Sequence, residues 1–235
     1  MSKNSLSLCK SSTPSTPLFP RQQKFPPQLS IISTLSLVVI GFFSVAQKAM
    51  AHHAMGGRMP ANFFEGFISG LAHPIIGLDH FAFIVAIGFL AVGLSRGALI
   101  PAGFVIASLA GTGLHLLKLN LPGNEIIIAC SVIVFGILLV AQKQLNFTWL
   151  IALAAVAGLF HGYAYGESIV GAEMTPLFAY LLGFSIIQYA IALTALATGN
   201  LLTQKFTNLT VSPLRLAGFA ISAIGVVFLT NSLIS

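Results

Sequence analysis

Charge is what this chain has least of. Only 7% of its 235 residues are Asp, Glu, Lys or Arg, and five of those are acidic. Soluble domains carry about a quarter of their residues charged, so a soluble globular class is excluded. Cysteine is nearly as scarce: Cys9 lies in the leading segment and Cys130 in an apolar run. Two thiols so placed suggest neither a disulfide framework nor a thiolate metal site. No GxxxxGK[ST] stretch is present, which excludes a P-loop that hydrolyses ATP. Nor is there a GxSxG elbow, which argues against serine hydrolysis by Ser168 near His161.

What fills the chain instead is apolar sequence, 56% of all residues. With about 20 apolar residues needed per helical span, the fold expected is an all-α membrane protein, one bundle of about six transmembrane helices. The lipid bilayer is therefore its first partner. The formal net charge of +6 is concentrated at the start. Lys3, Lys10, Arg21, Lys24 and Lys48 precede residue 52 and no acidic residue does, while the remainder is close to neutral. Nucleic-acid binding has no support in that distribution.

Residues 1–51 read as a secretory signal peptide. A Ser-, Pro- and base-rich start is followed by an apolar stretch over 31–46, and Ala49-Met50-Ala51 offers small residues for cleavage after Ala51. An uncleaved signal anchor and a plastid transit peptide are the alternatives. Cleavage after Ala51 would start the chain at His52-His53, where an amine and two imidazoles either capture a metal ion or form a loose polar terminus.

Residues 52–235 form the membrane domain. The first apolar run, 62–94, is too long for one upright span at ~1.5 Å per residue. A short interfacial helix over 62–72 followed by a span over 74–94 is one solution, and a single long tilted helix is the other. Further spans are expected near 98–117, 125–141, 146–164, 175–198 and 213–233. Turns at Ser95-Arg96-Gly97, Pro122-Gly123 and Gln142-Lys143-Gln144 and a polar connection over 199–212 separate them. Six spans and a cleaved signal put both ends of the mature chain outside the plasma membrane. Arg96, Lys143, Lys205 and Arg215 then fall inside, as the positive-inside rule asks.

Two polar islands interrupt the apolar runs. The first, HPIIGLDH, runs from His73 to His80, and the second, HGYAYGES, from His161 to Ser168. His115 is a third polar point. Ionisable groups within a membrane are costly, so a functional role is the default reading. Each island has a His followed six residues later by a carboxylate, Asp79 or Glu167. A duplicated three-helix unit would produce that spacing, although no longer repeat is visible.

On the broken-helix solution these groups gather in the outer half of the membrane. On a continuous helix His80 would lie ~10 Å deeper than His73, so the two would be successive stations for an ion. Otherwise His80 and Asp79 join His115 and His161 across the bundle. Neutral imidazole with carboxylate suits Ni, Co, Zn, Cu or Fe, whereas Mg and Ca prefer more oxygen. The bland readings stand beside these. His115 is a satisfied interhelical hydrogen bond, Glu167 is an exposed loop residue, and Asp79 only orients His80. Tyr163, Tyr165 and Gln188 either line a path or pack.

The two islands together resemble the HupE/UreJ family of membrane proteins, and the resemblance extends over essentially all of 52–235. It implies a small secondary permease for nickel or cobalt. It also implies metal-handling roles for His73, Asp79 and His80 in the first motif and for His161 and Glu167 in the second. The family more often has His where this chain has Tyr165, which removes one ligand, and the style of the second motif suggests a cyanobacterial member and a lean toward cobalt.

The leading expectation is therefore a permease, not an enzyme, with no permanently bound cofactor, carrying Ni2+ or Co2+ past His52, His53, His73, Asp79, His80, His115, His161 and Glu167. A haem- or metal-binding redox protein and a metal-delivery accessory protein are the alternatives. Glycine-bearing helix faces allow a homo-oligomer.

Overall fold

The computed structural model describes residues 58–142, 145–206 and 209–234, and within them it is all-helical. The expected signal peptide and His52-His53 lie outside the described residues. Helix α1 spans Phe63–Ile76 and α2 Leu78–Leu90. They are followed by α3 (Leu99–Leu116), α4 (Asn124–Ala141), α5 (Phe147–Glu167), α6 (Met174–Lys205) and α7 (Pro213–Ile234). Five of these helices are long and apolar enough to cross a membrane, and α1 and α2 together make a sixth span bent by 78°. Phe64, Ile106, Trp149 and Phe178 are each more than 60% exposed, as lipid-facing side chains are.

The helix starts follow local chemistry. Asn62 caps α1 by accepting from the N–H of Glu65 at 2.9 Å, and the Glu65 carboxylate accepts from the N–H of Ala61 at 2.9 Å. Orphan donors of the first turn are thus met within the sequence itself. Asn146 caps α5 in the same way through the N–H of Trp149 at 3.0 Å. The Pro122-Gly123 turn forms as expected, with Gly123 at φ 70°, a backbone state that glycine adopts without penalty.

Two boundaries differ from the sequence reading. The first span breaks at Gly77, not ahead of Pro74, and α1 runs through Pro74 to Ile76. Pro74 has no N–H to give the carbonyl of Gly70, a single lost bond that the helix survives for its last two residues, and Gly77 N–H still reaches the carbonyl of His73 at 3.0 Å. The fifth span continues to Lys205, where a polar connection was expected from 199. Its 32 residues make a rod of about 48 Å at ~1.5 Å per residue, which exceeds the hydrocarbon layer. Polar residues at its end are then compatible with helix.

Close backbone contacts fix how the helices run. A Cβ on Gly66 or Gly70 of α1 would strike the carbonyl of Pro176 or Tyr180, so α1 runs parallel to the start of α6. Farther along the same helix, Gly88 of α2 meets Ala192. On α5, Gly158 meets Phe104 and Gly162 meets Ser108, so α3 and α5 are parallel too. Gly136 of α4 meets Ser222 and Gly218 of α7, while Gly225 meets Ile133 and Ala129, so that pair is antiparallel. These directions agree with a chain that reverses at each short loop through six spans. Small residues at such crossings let dispersion and backbone packing hold the bundle where no hydrophobic drive between helices exists.

This packing yields a direct test. Gly70→Ala should destabilise the bundle by about 1–3 kcal/mol, the usual cost of overpacking. Gly113→Ala should be neutral or slightly stabilising, because nothing lies within 4 Å of a Cβ there. Thermal unfolding of the two variants in one detergent measures the contrast, and equal stability would sink the packing argument.

Candidate functional site

The break at Gly77 builds the site. On an unbroken helix His73 and His80 would stand two turns apart. The bend brings their ring centroids to 6.1 Å, which corrects the ~10 Å separation expected for a continuous helix. Gly77 is also needed for space: a Cβ there would lie 2.7 Å from Cδ2 of His80. Asp79, half-buried in the first turn of α2, accepts from the backbone N–H of His80 at 2.9 Å. A carboxylate at that helix start is favoured by the unpaired N–H groups around it.

His80 is 2% exposed and His161 is fully buried, and their Nδ1 atoms are 2.8 Å apart across α2 and α5. The proton positions follow from the outer partners. Ser131 of α4 donates its only hydroxyl proton to the carbonyl of Ile128 at 2.7 Å. Its oxygen, 2.9 Å from Nε2 of His161, is then an acceptor, so Nε2 carries the proton. A neutral His161 accepts at Nδ1, and the donor is Nδ1–H of His80. Phe83 stacks on His161 with centroids 4.3 Å apart, and Phe104 and Phe135 pack around Phe83.

His73 is 4% exposed and has a different surrounding. Its Nδ1 lies 3.0 Å from both Ser168 Oγ and Tyr180 Oη. Both hydroxyls also reach the carbonyl of Tyr165, at 3.0 and 3.1 Å. That carbonyl is in the last turn of α5, where the helix supplies no donor. The Tyr165 ring stands beside both histidines, with centroids 5.0 Å from His73 and 4.5 Å from His80. Its buried hydroxyl has no hydrogen-bond partner among the described residues.

The structure therefore brings His73, His80 and His161 together around Tyr165, with Asp79 at the edge. It does not bring in His115, whose ring packs on Tyr163 at 4.3 Å and whose buried Nδ1 lacks a hydrogen-bond partner among the described residues. Glu167 ends α5 and is exposed. Gln188 is fully buried on α6, with both amide atoms unpartnered among the described residues. No three of His, Cys, Asp and Glu among the described residues close on one point as a metal site. What is present is pairs of donors.

Sequence reasoning missed Ser131 and Tyr180. Serine and threonine in apolar helices commonly bond their own preceding turn, as Ser185, Thr194, Thr230 and Ser232 do here. Ser131 does this as well and still accepts from a histidine, so nothing in the sequence separates it from the others. Its role is open to measurement. Ser131→Ala leaves His161 Nε2–H without its acceptor and should cost about 1–3 kcal/mol, the penalty of an unmet buried donor. Nitrogen-15 NMR of the imidazoles in bilayers should show the protonated nitrogen of His161 change. An unaltered histidine spectrum would contradict the proton order given above.

Comparison with known proteins bears on the whole bundle. A model described as HupE / UreJ protein matches residues 39–228, beginning within the apolar stretch ahead of the described residues and ending in α7. The chain is similar to Protein HupE of Rhizobium leguminosarum bv. viciae, 28% identical over 200 residues that cover 84% of this chain and 97% of that protein. No solved structure matches the chain. A family match that takes in both polar islands and nearly every described helix places this multi-pass membrane protein in the HupE/UreJ family.

Proposed function

We propose that the protein is a secondary permease for uptake of divalent nickel or cobalt. The observation that carries this reading is the meeting of three buried histidines from two spans at a break in the first. Imidazole is the donor such borderline ions favour, and burial of three is too costly to keep without use. The family resemblance extends the handling roles to Asp79 and Glu167, and the exposed Glu167 suits a first contact at the mouth. His115, His52 and His53 belong to the same approach. The end of the bundle with His115 and Glu167 faces outward in this reading, and the membrane is the plasma membrane.

The hydrogen-bonded pairs have a spacing that suits exchange of a proton for an ion. Two donors at ~2.1 Å from one ion and at right angles to each other stand ~3.0 Å apart. The His80–His161 and His73–Ser168 contacts are 2.8 and 3.0 Å. An ion entering either pair takes the place of the shared proton, which moves to the other nitrogen of the same ring and leaves a neutral imidazole as the ligand. Donors in pairs give moderate affinity, which lets the ion leave again. Beyond His161, buried Phe83, Phe104 and Phe135 close the way to a cavity of about 180 Å³ at the far end, beside Phe89, Leu138 and Thr203. Passage then requires this aromatic group to move. A haem held between facing histidines is disfavoured, because the His80 and His161 rings touch and leave no gap for a macrocycle.

Uptake of radioactive cobalt and nickel by metal-starved cells tests the proposal. Wild type should accumulate one or both ions. His80→Ala and Asp79→Asn, at matched expression, should lose at least about tenfold, the scale expected for removing a ligand or its support. Lowering external pH should weaken uptake, since protons compete for imidazole lone pairs. Wild-type accumulation no higher than an empty vector would defeat the permease reading.

A further inference from the structure

The bundle is two inverted three-helix units. One comprises α1, α3 and α4 and the other α5, α6 and α7. Exchanging α1 with α5, α3 with α6 and α4 with α7 turns the parallel α1/α6 pair into the parallel α5/α3 pair and returns the antiparallel α4/α7 pair to itself. The correspondence holds at the close glycine contacts. Gly70 against Tyr180 becomes Gly158 against Phe104, each a glycine facing a carbonyl. Between α4 and α7, a Cβ on Gly136 would lie 2.7 Å from Ser222 N and 2.9 Å from Gly218 O. On Gly225, its counterpart, a Cβ would lie 2.8 Å from Ile133 N and 3.1 Å from Ala129 O. Past its first turn, helix α2, 13 residues long, has no helical counterpart, since α5 ends at Glu167. The second unit makes up the length in α6, 32 residues against 18 in α3.

The same exchange acts on the site. It carries His73 to His161, Asp79 to Glu167 and His80 to Ser168, so the shared spacing of the two polar islands is the trace of the repeat. It also carries the His80–His161 contact into the Ser168–His73 contact. Both are made through histidine Nδ1, at 2.8 and 3.0 Å. The pseudo-twofold axis therefore passes between two equivalent donor pairs. Sites of inverted-repeat transporters lie on such an axis, where the two halves meet.

Ser168 thus stands where the first unit has His80. It is 8% exposed, and its oxygen is at the separation from His73 that neighbouring ligands of one ion adopt. A nitrogen–nitrogen pair holds a borderline divalent ion more firmly than a nitrogen–hydroxyl pair. The ion accordingly meets a weaker pair and a stronger pair, separated by the Tyr165 ring.

We infer that Ser168 is a metal-contacting residue of this chain, which with His73 forms a second, weaker two-donor station for a divalent transition ion, equivalent by internal symmetry to His80 with His161. The inference rests on the permease reading and deepens it. Four positions, His73, His80, His161 and Ser168, then make up the central site. Replacing a hydroxyl by a thiol at 168 changes size little and provides a reporter.

The test is cobalt(II) titration of the full-length protein in lipid nanodiscs, followed by absorbance. Wild type supplies the background from Cys9 and Cys130. Ser168→Cys should add a thiolate-to-cobalt charge-transfer band in the near ultraviolet that wild type lacks. Ser168→Ala should weaken the looser of two cobalt-binding phases about tenfold and leave the tighter one unchanged, and Ser168→Thr, which keeps the hydroxyl, should stay within about threefold of wild type in both. A folded Ser168→Cys protein that binds cobalt as wild type does but shows no added band overturns the inference and leaves the permease reading intact. Should the cysteine variant fail to fold, Ser168→Ala with both binding phases as in wild type overturns it equally. Absence of cobalt and nickel binding by wild type defeats both readings together.

Discussion

Buried imidazoles set the terms for this structure. Each ring has an N–H that must find an acceptor in surroundings with little water, since an unmet buried donor costs about 1–3 kcal/mol. His161 illustrates the consequence. It is fully buried, and its two nitrogens are met by His80 of α2 and Ser131 of α4. Three helices must therefore converge at one level. Helices approach that closely only over small residues, and the α5 face toward α3 is Gly158, Gly162 and Gly166. Substituted glycines there would push the helices apart and leave polar groups unmet, so packing and polar satisfaction are one requirement.

The break at Gly77 serves that requirement as well. A continuous helix would hold His73 and His80 on one face at different depths. Bending the span by 78° turns sequence neighbours into spatial neighbours and frees the first-turn N–H groups of α2, one of which Asp79 accepts. A broken span is tolerated inside a membrane only where protein surrounds it, and His73, Pro74, Gly77 and His80 are all buried. The adjoining α6 runs unbroken past the break and supports both halves, meeting Gly70 before it and Gly88 after it.

Much of this was legible in the sequence. The six apolar runs, the turn at Pro122-Gly123 and the two polar islands all have their counterparts in the bundle. Lipid demands long apolar runs, and those are hard to mistake. The boundaries that misled did so for local reasons. Pro74 signals a break, but the helix bears the one lost bond for two residues more, and the bend fell at the glycine that the His80 ring needs. Thr198 to Asn200 signal a loop, but a helix that projects beyond the hydrocarbon accommodates them. His115 shows the limit for the site. Its residue type matched the other histidines, whereas its ring packs on Tyr163, and that depends on the rotation of α3, which composition does not fix. Ser131 shows the converse, a residue whose second partner is invisible without the third dimension.

The two halves of the bundle are equivalent in topology and unequal in chemistry. The second unit has an unbroken α5 where the first has a break, and Tyr165 occupies the position that corresponds to Gly77. Only glycine fits at the break, because a Cβ would press on His80. At the matching place in α5 a large ring is needed, since it fills the space between His73 and His80. Equal halves would present the same donors to both sides of the membrane. With a glycine facing a tyrosine and a histidine facing a serine across one axis, the two sides differ in their donors while keeping the packing that the repeat provides.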